Sequence, residues 1–341
     1  MHQYLSGVQQ IGIGVTDVEK AMHTYKHLFG MDVLIFDDVA PASLMTQYTG
    51  NQVYNRRAIL TMNLKGGGGL ELWQFLNRTP QVTTEVKLGD LGISAAIIKT
   101  DSLEKSHKRL SEIENISVSE IVNCESGASY IWVNDGQNDF KIIPQNDWFQ
   151  SSTYDVGGII GAVIGVSNME TSLHFYQQVL GFETVLYDIQ TSDNGREFRK
   201  IGLQKTATGK GAFNKLLGNV VIELVQILNE VPKKIFSNRF WGDCGFIHLC
   251  FDVLDMDALK LHAEKNNYHF SVDSNNSFAM DNASGRFCYI EDPDGTLIEL
   301  VETHKVPIMK KLGWYLDLTK RNREKPLPNW MIKMLALSKV K

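Results

Sequence analysis

The feature that most limits what this chain can fold into is an internal repeat, found twice over. Leu70-Glu71-Leu72-Trp73-Gln74-Phe75-Leu76-Asn77, followed by Pro80, returns roughly 150 residues later as Ile222-Glu223-Leu224-Val225-Gln226-Ile227-Leu228-Asn229, followed by Pro232. Tyr25 recurs as Tyr176. Gly89-Asp90-Leu91-Gly92-Ile93 recurs as Gly242-Asp243-Cys244-Gly245-Phe246, and Tyr130-Ile131 with Asp135-Gly136 recurs as Tyr289-Ile290 with Asp294-Gly295. A chain of 341 residues built this way is a set of similar units that bury their apolar faces on one another.

Each unit reads as a strand, a helix and further strands. Residues 8–15 alternate as a strand. Thr16-Asp17 then supplies an N-cap for a helix that runs to about Phe29, with Val18, Met22, Tyr25 and Phe29 on its apolar side and Gly30 at its end. Strand-like runs follow at 31–36 and 57–64, and the glycine run Gly66 to Gly69 reads as a flexible turn before Leu70. The pattern predicts an α+β fold of four βαβββ modules, at about 7–80, 90–145, 157–232 and 243–304. Modules one and two make an N-terminal half (1–145) and modules three and four a C-terminal half (157–304), joined by a linker at 146–156.

The last module ends in Tyr289-Ile290-Glu291-Asp292-Pro293-Asp294-Gly295-Thr296-Leu297-Ile298-Glu299-Leu300-Val301, a hairpin whose Asp294-Gly295 favours a two-residue turn. Leu297, Glu299 and Val301 share one face by the strand period. A carboxylate among apolar neighbours demands a cationic partner.

Composition narrows the function classes. A formal net charge of −5, with 43% hydrophobic and 21% charged residues, suits a soluble globular protein and gives no case for nucleic acid. Cys124, Cys244, Cys250 and Cys288 lack metal or redox spacing, so reduced cysteines in a cytoplasmic protein are expected. Met1 to Ser6 lacks a signal-peptide pattern and no run is long enough for a membrane span. The stretch 305–341 is rich in Lys and Arg (Lys310, Lys311, Arg321, Lys333 and Lys341 among them) against Asp317 and Glu324, with Trp314, Trp330 and Met334 between them. It reads as a helix docked on the body, or alternatively as a contact for an anionic surface or partner.

The strand-one pattern Ile-Gly-Ile-Gly-Val-Thr-Asp-Val, the helix end Leu-Phe-Gly-Met, Leu-Glu-Leu-Trp, Gly-Phe-Ile-His-Leu and Asp-Pro-Asp-Gly-Thr-Leu-Ile-Glu-Leu together resemble the vicinal oxygen chelate superfamily, over about residues 7–304. Its members include glyoxalase I, methylmalonyl-CoA epimerase, extradiol dioxygenases and bleomycin-resistance proteins. The resemblance implies paired modules that curl into half-barrel clefts, with a metal held by the first and last strands of each module. The positions implied are Gln10 and Glu71 in module one, Ala95 and Phe140 in module two, Gly161 and Glu223 in module three, and His248 and Glu299 in module four. Pairing one with four and two with three, as in dimeric glyoxalase I, collects Gln10, Glu71, His248 and Glu299 into one complete set and leaves the other cleft abandoned.

The resemblance further implies a divalent ion (Zn, Ni, Co, Mn or Fe) on Gln10, Glu71, His248 and Glu299, with Glu299 and Glu71 as proton-transferring carboxylates and Glu299 the first choice of base. The activity implied is a lyase or isomerase acting on a small-molecule substrate. Trp73 and Phe75 share the face of Glu71 and either line a substrate pocket or pack the core. Phe240 and Trp241 are candidates for a lid. Arg286 either binds a substrate acid or pairs with a local carboxylate. Where glyoxalase I carries the Arg and Asn that help hold glutathione, this chain has Gly14 and Phe75, which argues against a glutathione adduct. Two other classes stay open: a metal-free binding protein of the bleomycin-resistance type, and an extradiol dioxygenase, for which Gly161 stands in the place of a required His. A further homodimer of the fused chain is left open as well.

Overall fold

The computed structural model describes residues 4–82, 85–124, 127–275, 278–280, 283–309 and 314–340. The first module supplies β1 (Leu5–Gly14), α1 (Val18–Phe29), β2 (Val33–Pro41), β3 (Asn55–Met62) and β4 (Gly69–Phe75). The second supplies β5 (Gly92–Thr100), α2 (Leu103–Ser111), the short β6 (Ser117–Val118) and β7 (Val122–Asn123), β8 (Ser129–Asn134) and β9 (Asp139–Pro144). The third has β10 (Val156–Gly165), α3 (Met169–His174) continuing into a π-helical turn, β11 (Thr184–Asp193), β12 (Arg196–Lys205), α4 (Asn214–Leu217) and β13 (Val220–Ile227). The fourth has β14 (Gly245–Val253), α5 (Met256–Lys265), β15 (Phe270–Asp273), β16 (Phe278–Met280), β17 (Ala283–Glu291) and β18 (Leu297–Met309). Beyond it lie β19 (Trp314–Asp317) and α6 (Asn329–Lys333).

These strands form two curled half-barrel sheets. One runs β15-β17-β18-β14-β1-β4-β3-β2 and joins the fourth module to the first. The other runs β11-β12-β13-β10-β5-β9-β8-β6 and joins the third to the second. Each sheet therefore draws one module from each half of the chain. In each, the two first strands pair antiparallel at the centre, β1 with β14 and β5 with β10.

Local chemistry accounts for the helix ends. The Asp17 carboxylate accepts from the backbone N–H groups of Glu19 and Lys20, and Gly30 closes α1 at φ 64°, the left-handed conformation that suits glycine. Asn168 and Asp255 cap α3 and α5 in the same way. Tyr25, Leu28 and Phe29 of α1, Met169 of α3 and Met256 and Leu259 of α5 enter one apolar core with Ile11, Ile13, Ile164 and Leu249 from both sheets.

Three expectations are corrected. The glycine run is a joint between the sheets, not a flexible turn: the Gly68 N–H donates to the Ile159 carbonyl, and the Gly158 N–H to that of Gly66. A Cβ on Gly158 would lie 2.3 Å from the Gly68 carbonyl oxygen, so only glycine allows the backbones to approach. The β17–β18 connection is a five-residue loop, 292–296, in which Gly295 alone has positive φ. Its organiser is Asp292, whose carboxylate accepts from the N–H groups of Asp294 and Thr296. The basic tail is not one docked helix. It prolongs β18, returns as β19 and ends in short helical turns that bury Leu318, Leu327 and Ile332. Lys310, Lys311 and Lys341 of that tail, and Met1 to Gln3, lie outside the described residues.

Candidate metal centre

On the concave face of the first sheet, Gly12 of β1 is the register partner of Glu71 on one side and of His248 on the other. Parallel pairing sets Glu299 beside Cys250, two residues along β14 from His248. Gln10 follows on the same face of β1 by the two-residue period. Gly12 makes this crowding feasible. A Cβ there would lie 2.5 Å from His248 Cε1 and 2.6 Å from its Nε2, so the imidazole occupies space that any other residue would claim.

The four side chains meet although they come from distant parts of the chain. His248 Nε2 lies 3.1 Å from an oxygen of Glu71 and 3.1 Å from one of Glu299. The Gln10 amide reaches the same two oxygens at 3.1 and 3.4 Å. His248 is fully buried, and Gln10, Glu71 and Glu299 nearly so. The cation that Glu299 requires is thus the imidazolium. Burial pulls the His248 pKa down, but the carboxylates of Glu299 and Glu71 outweigh it and push it up to about 10. Burial likewise pushes the Glu299 carboxyl up, and His248 more than offsets this, holding it below its ordinary value.

This arrangement leaves specific atoms wanting. His248 Nε2 is close to two carboxylates but makes a directed hydrogen bond with neither, and Gln10 Oε1 is buried with no partner. Among the described residues, Glu71, His248 and Glu299 are the one group of ligating side chains whose donor atoms lie within 4.8 Å of one another. Separations near 3.1 Å between donors suit neighbouring ligands around an ion with bonds of about 2.0–2.2 Å. The residues therefore fit a divalent cation with one imidazole nitrogen and oxygen ligands. Tyr289 hydroxyl lies 3.2 Å from His248 Nδ1 and orients the ring, leaving Nε2 toward the centre.

A cavity of about 220 Å³ opens onto this cluster, lined by Glu71, Glu299, Trp73, Trp241, Tyr289, Phe287, Met45 and Arg56. Trp73 forms its wall, T-shaped against Trp241 at 4.5 Å between centroids. Trp241 is buried and nearly parallel to the His248 ring. It is a packed wall and not an exposed lid. Phe240 stands farther out, over the Arg78 guanidinium. Phe75 packs on the edges of Trp73 and Tyr54. Arg286 is not in the pocket: its guanidinium is taken by Asp273 (2.9 and 2.7 Å) and Asp257 (2.6 Å). At Gly14 a Cβ would lie 2.0 Å from the Asp243 carbonyl oxygen, so no side chain could stand there to hold a ligand.

In the second sheet the equivalent positions hold no such set. Ala95 and Gly161 are in the expected strands, but Phe140 is turned into the core against Tyr25 and Phe29. The residue paired two positions beyond Ala95 is Lys141, as Glu299 is paired two positions beyond His248. Two residues separate Gly136 from β9, whereas one separates Gly295 from β18, which shifts the register by one and exchanges the faces. Lys141 Nζ meets Glu223 at 2.7 Å and lies 4.1 Å over the Tyr130 ring, and the Tyr187 hydroxyl donates to the same carboxylate.

Sequence reasoning brought out Gln10, Glu71, His248 and Glu299 but missed Arg56, Gly12, Tyr289 and Lys141. The alternation Arg56, Ala58, Leu60 opposite Phe75, Trp73 and Glu71 was the signal for Arg56.

Comparisons with known proteins agree with this architecture. Residues 158–300 match the model of the glyoxalase/bleomycin resistance protein/dioxygenase superfamily. A provisionally named dioxygenase from Bacillus subtilis superposes with a TM-score of 0.59 at 13% identity, covering 88% of this chain and 86% of its own. Glyoxalase I from Zea mays superposes with a TM-score of 0.54 at 13% identity, covering 87% of this chain and 92% of its own. At such identity the likeness speaks for the fold. No curated protein sequence matches the chain.

Proposed function

For a chain with the fold of the glyoxalase/bleomycin resistance/dioxygenase superfamily, we propose a divalent-metal-dependent lyase or isomerase with one site, in the cleft between the first and fourth modules. The observation that carries this reading is the convergence of Glu71, His248 and Glu299 on a buried point where His248 Nε2 and Gln10 Oε1 have no other partner. Gln10, Glu71, His248 and Glu299 would hold the ion. When bound there, a divalent cation supplies a Lewis acid for a carbonyl or enediol oxygen.

The protein's own groups do the rest. Glu299, kept ionised by its surroundings, takes a proton from the carbon beside that carbonyl and delivers it to the neighbouring carbon or oxygen. Glu71 faces it across His248 and would serve as a ligand to the ion and as the second proton carrier. Tyr289 fixes the imidazole, and Trp73 and Trp241 exclude water from the reacting face. The product is an isomer or a rearranged hydroxy acid. The blocked position at Gly14 and the packed Phe75 favour a substrate other than a glutathione adduct.

The single His with two carboxylates differs from the two-His, one-carboxylate set of non-haem iron oxygenases, which ranks the dioxygenase reading below this one. The metal-free binding reading has one observation in its favour, since a protonated His248 satisfies part of the carboxylate charge without an ion. Elemental analysis of protein purified from metal-replete medium separates the two. One divalent ion per chain, lost in His248→Ala and reduced in Glu299→Gln, is the expected result. A folded protein that takes up no ion, or anomalous density beside Glu223 instead, overturns the proposal.

A further inference from the structure

Among the described residues, Arg56 is the one cationic side chain lining the cavity above Glu71 and Glu299. It is 6% exposed. Its Nη1 donates to the backbone oxygen of Asp38 at 2.8 Å and to that residue's carboxylate at 2.6 Å. Its Nε and Nη2 have no protein partner among the described residues. Asp38 therefore pins one corner of the guanidinium and leaves the Nε–Nη2 edge, two parallel donors in the spacing that a carboxylate accepts. Neither atom is sealed from solvent, so the free edge of this guanidinium, at the lining of a cavity, is open to an anionic group that enters.

Position sets the length of what fills it. Leu60 is the register partner of Glu71, and Arg56 lies four residues farther along β3, a rise of roughly 13 Å. A ligand that touches both ends is several bonds long. The walls between are Trp73, Phe287, Tyr289 and Met45, which suit an apolar linker.

We propose that the cavity takes substrates with a carboxylate set away from the reacting oxygens across an apolar spacer, and that Arg56 holds this carboxylate through its Nε–Nη2 edge. The inference rests on the metal-centre reading, because an ion between Glu71 and Glu299 removes the negative charge that would otherwise repel an acid. Arg56 is here a binding residue, remote from the proton transfer.

The test uses the full chain loaded with Ni²⁺ and a series of ω-carboxyalkyl hydroxamates of increasing length, whose hydroxamate supplies two vicinal oxygens, against the matching ω-amides. Calorimetry should show one chain length at which the acid binds at least about tenfold tighter than the amide. Arg56→Gln should abolish that preference while metal stoichiometry and acetohydroxamate affinity stay unchanged, and Arg56→Lys should restore part of it. Equal binding of acid and amide at every length in the unaltered protein, a comparison that needs no variant, overturns the proposal, as does a preference that survives in Arg56→Gln. If the chain takes up no metal, octanoate against octanamide reads the same fork alone. A preference dependent on Arg56 then keeps the acid site while the metal reading fails, and no preference ends both.

Discussion

Lys141 occupies in the second sheet the position that Glu299 occupies in the first, and replacing it with Met isolates the energetics of that exchange. Lys141 and Glu223 are both buried, and their 2.7 Å ion pair has side-chain exposures of 7% and 4%. Burial alone would raise the Glu223 carboxyl, but Lys141 holds it below its ordinary value. Lys141→Met leaves that carboxylate buried with the Tyr187 hydroxyl as its one remaining donor among the described residues and the charge of Lys200 acting at longer range. Removing one partner of a buried pair costs about 3–5 kcal/mol, whereas removing both charges is close to neutral. Urea denaturation should therefore show a loss of that order for Lys141→Met, and recovery of most of it in Lys141→Met/Glu223→Gln. The sign with pH follows from the depressed Glu223 pKa. The pair's stabilisation is present above the ordinary carboxylate range and fades as pH falls through the folded value, so the difference between the proteins narrows in acid. Metal stoichiometry in the first cleft should not change. A loss under about 1 kcal/mol, or a double variant as unstable as the sum of the singles, would refute the view that Lys141 serves as the built-in cation of this cleft.

Other outcomes follow from the same geometry. Because His248 is pushed up to about 10, a metal must displace its proton below that pH, so affinity should climb by up to about tenfold per pH unit between pH 7 and 9, with close to one proton released per ion in calorimetry across buffers; a flat profile rejects the assignment. Without metal the raised His248 pKa stabilises the fold at pH below the ordinary histidine value of about 6.5, and that contribution should disappear as pH rises through about 10, measured by denaturation of the chelated protein. Gly12→Ala should keep the fold's circular dichroism yet weaken metal binding by roughly 10- to 100-fold, since its Cβ displaces the imidazole. Gly158→Ala should destabilise the protein by about 1–3 kcal/mol or more without altering the isolated chemistry of the cluster, because its Cβ meets the Gly68 backbone.

Much of the fold was open to reading because the repeat is written in local chemistry. Asp17 with Gly30, and Asn168 with Gly181, bracket helices through caps that act over a few residues. Glu71, His248 and Glu299 were legible through the superfamily resemblance, at the strand positions that it implies. What escaped depended on counting across loops or on contacts between distant segments. Matching Asp135-Gly136 to Asp294-Gly295 made Phe140 the counterpart of Glu299. One more residue lies between Gly136 and β9 than between Gly295 and β18, so Lys141 holds the place and Phe140 faces the core. Gly66 to Gly69 looked like slack in the chain, although its glycines answer to a backbone across the sheet joint. Arg56 and Arg57 look alike in sequence. The two-residue period sends Arg57 outward to Asp37 and Glu19, and Arg56 into the cavity.

Both clefts face one electrostatic problem. In each sheet the last strand of a module pairs with that module's own first strand, the first strands of the two modules meet at the centre, and a glutamate, Glu71 or Glu223, projects into the hollow from the same place in each. A buried carboxylate must be met by positive charge. In the second cleft the chain supplies it covalently as Lys141, and aromatic rings close over the ammonium. In the first cleft a second carboxylate, Glu299, stands where the lysine would be, and one imidazole faces both. A single proton on His248 balances one of the two negative charges. The remaining charge, together with the orphaned Gln10 oxygen, is what a divalent ion would satisfy, and what distinguishes a site that can exchange its cation from one that carries its own.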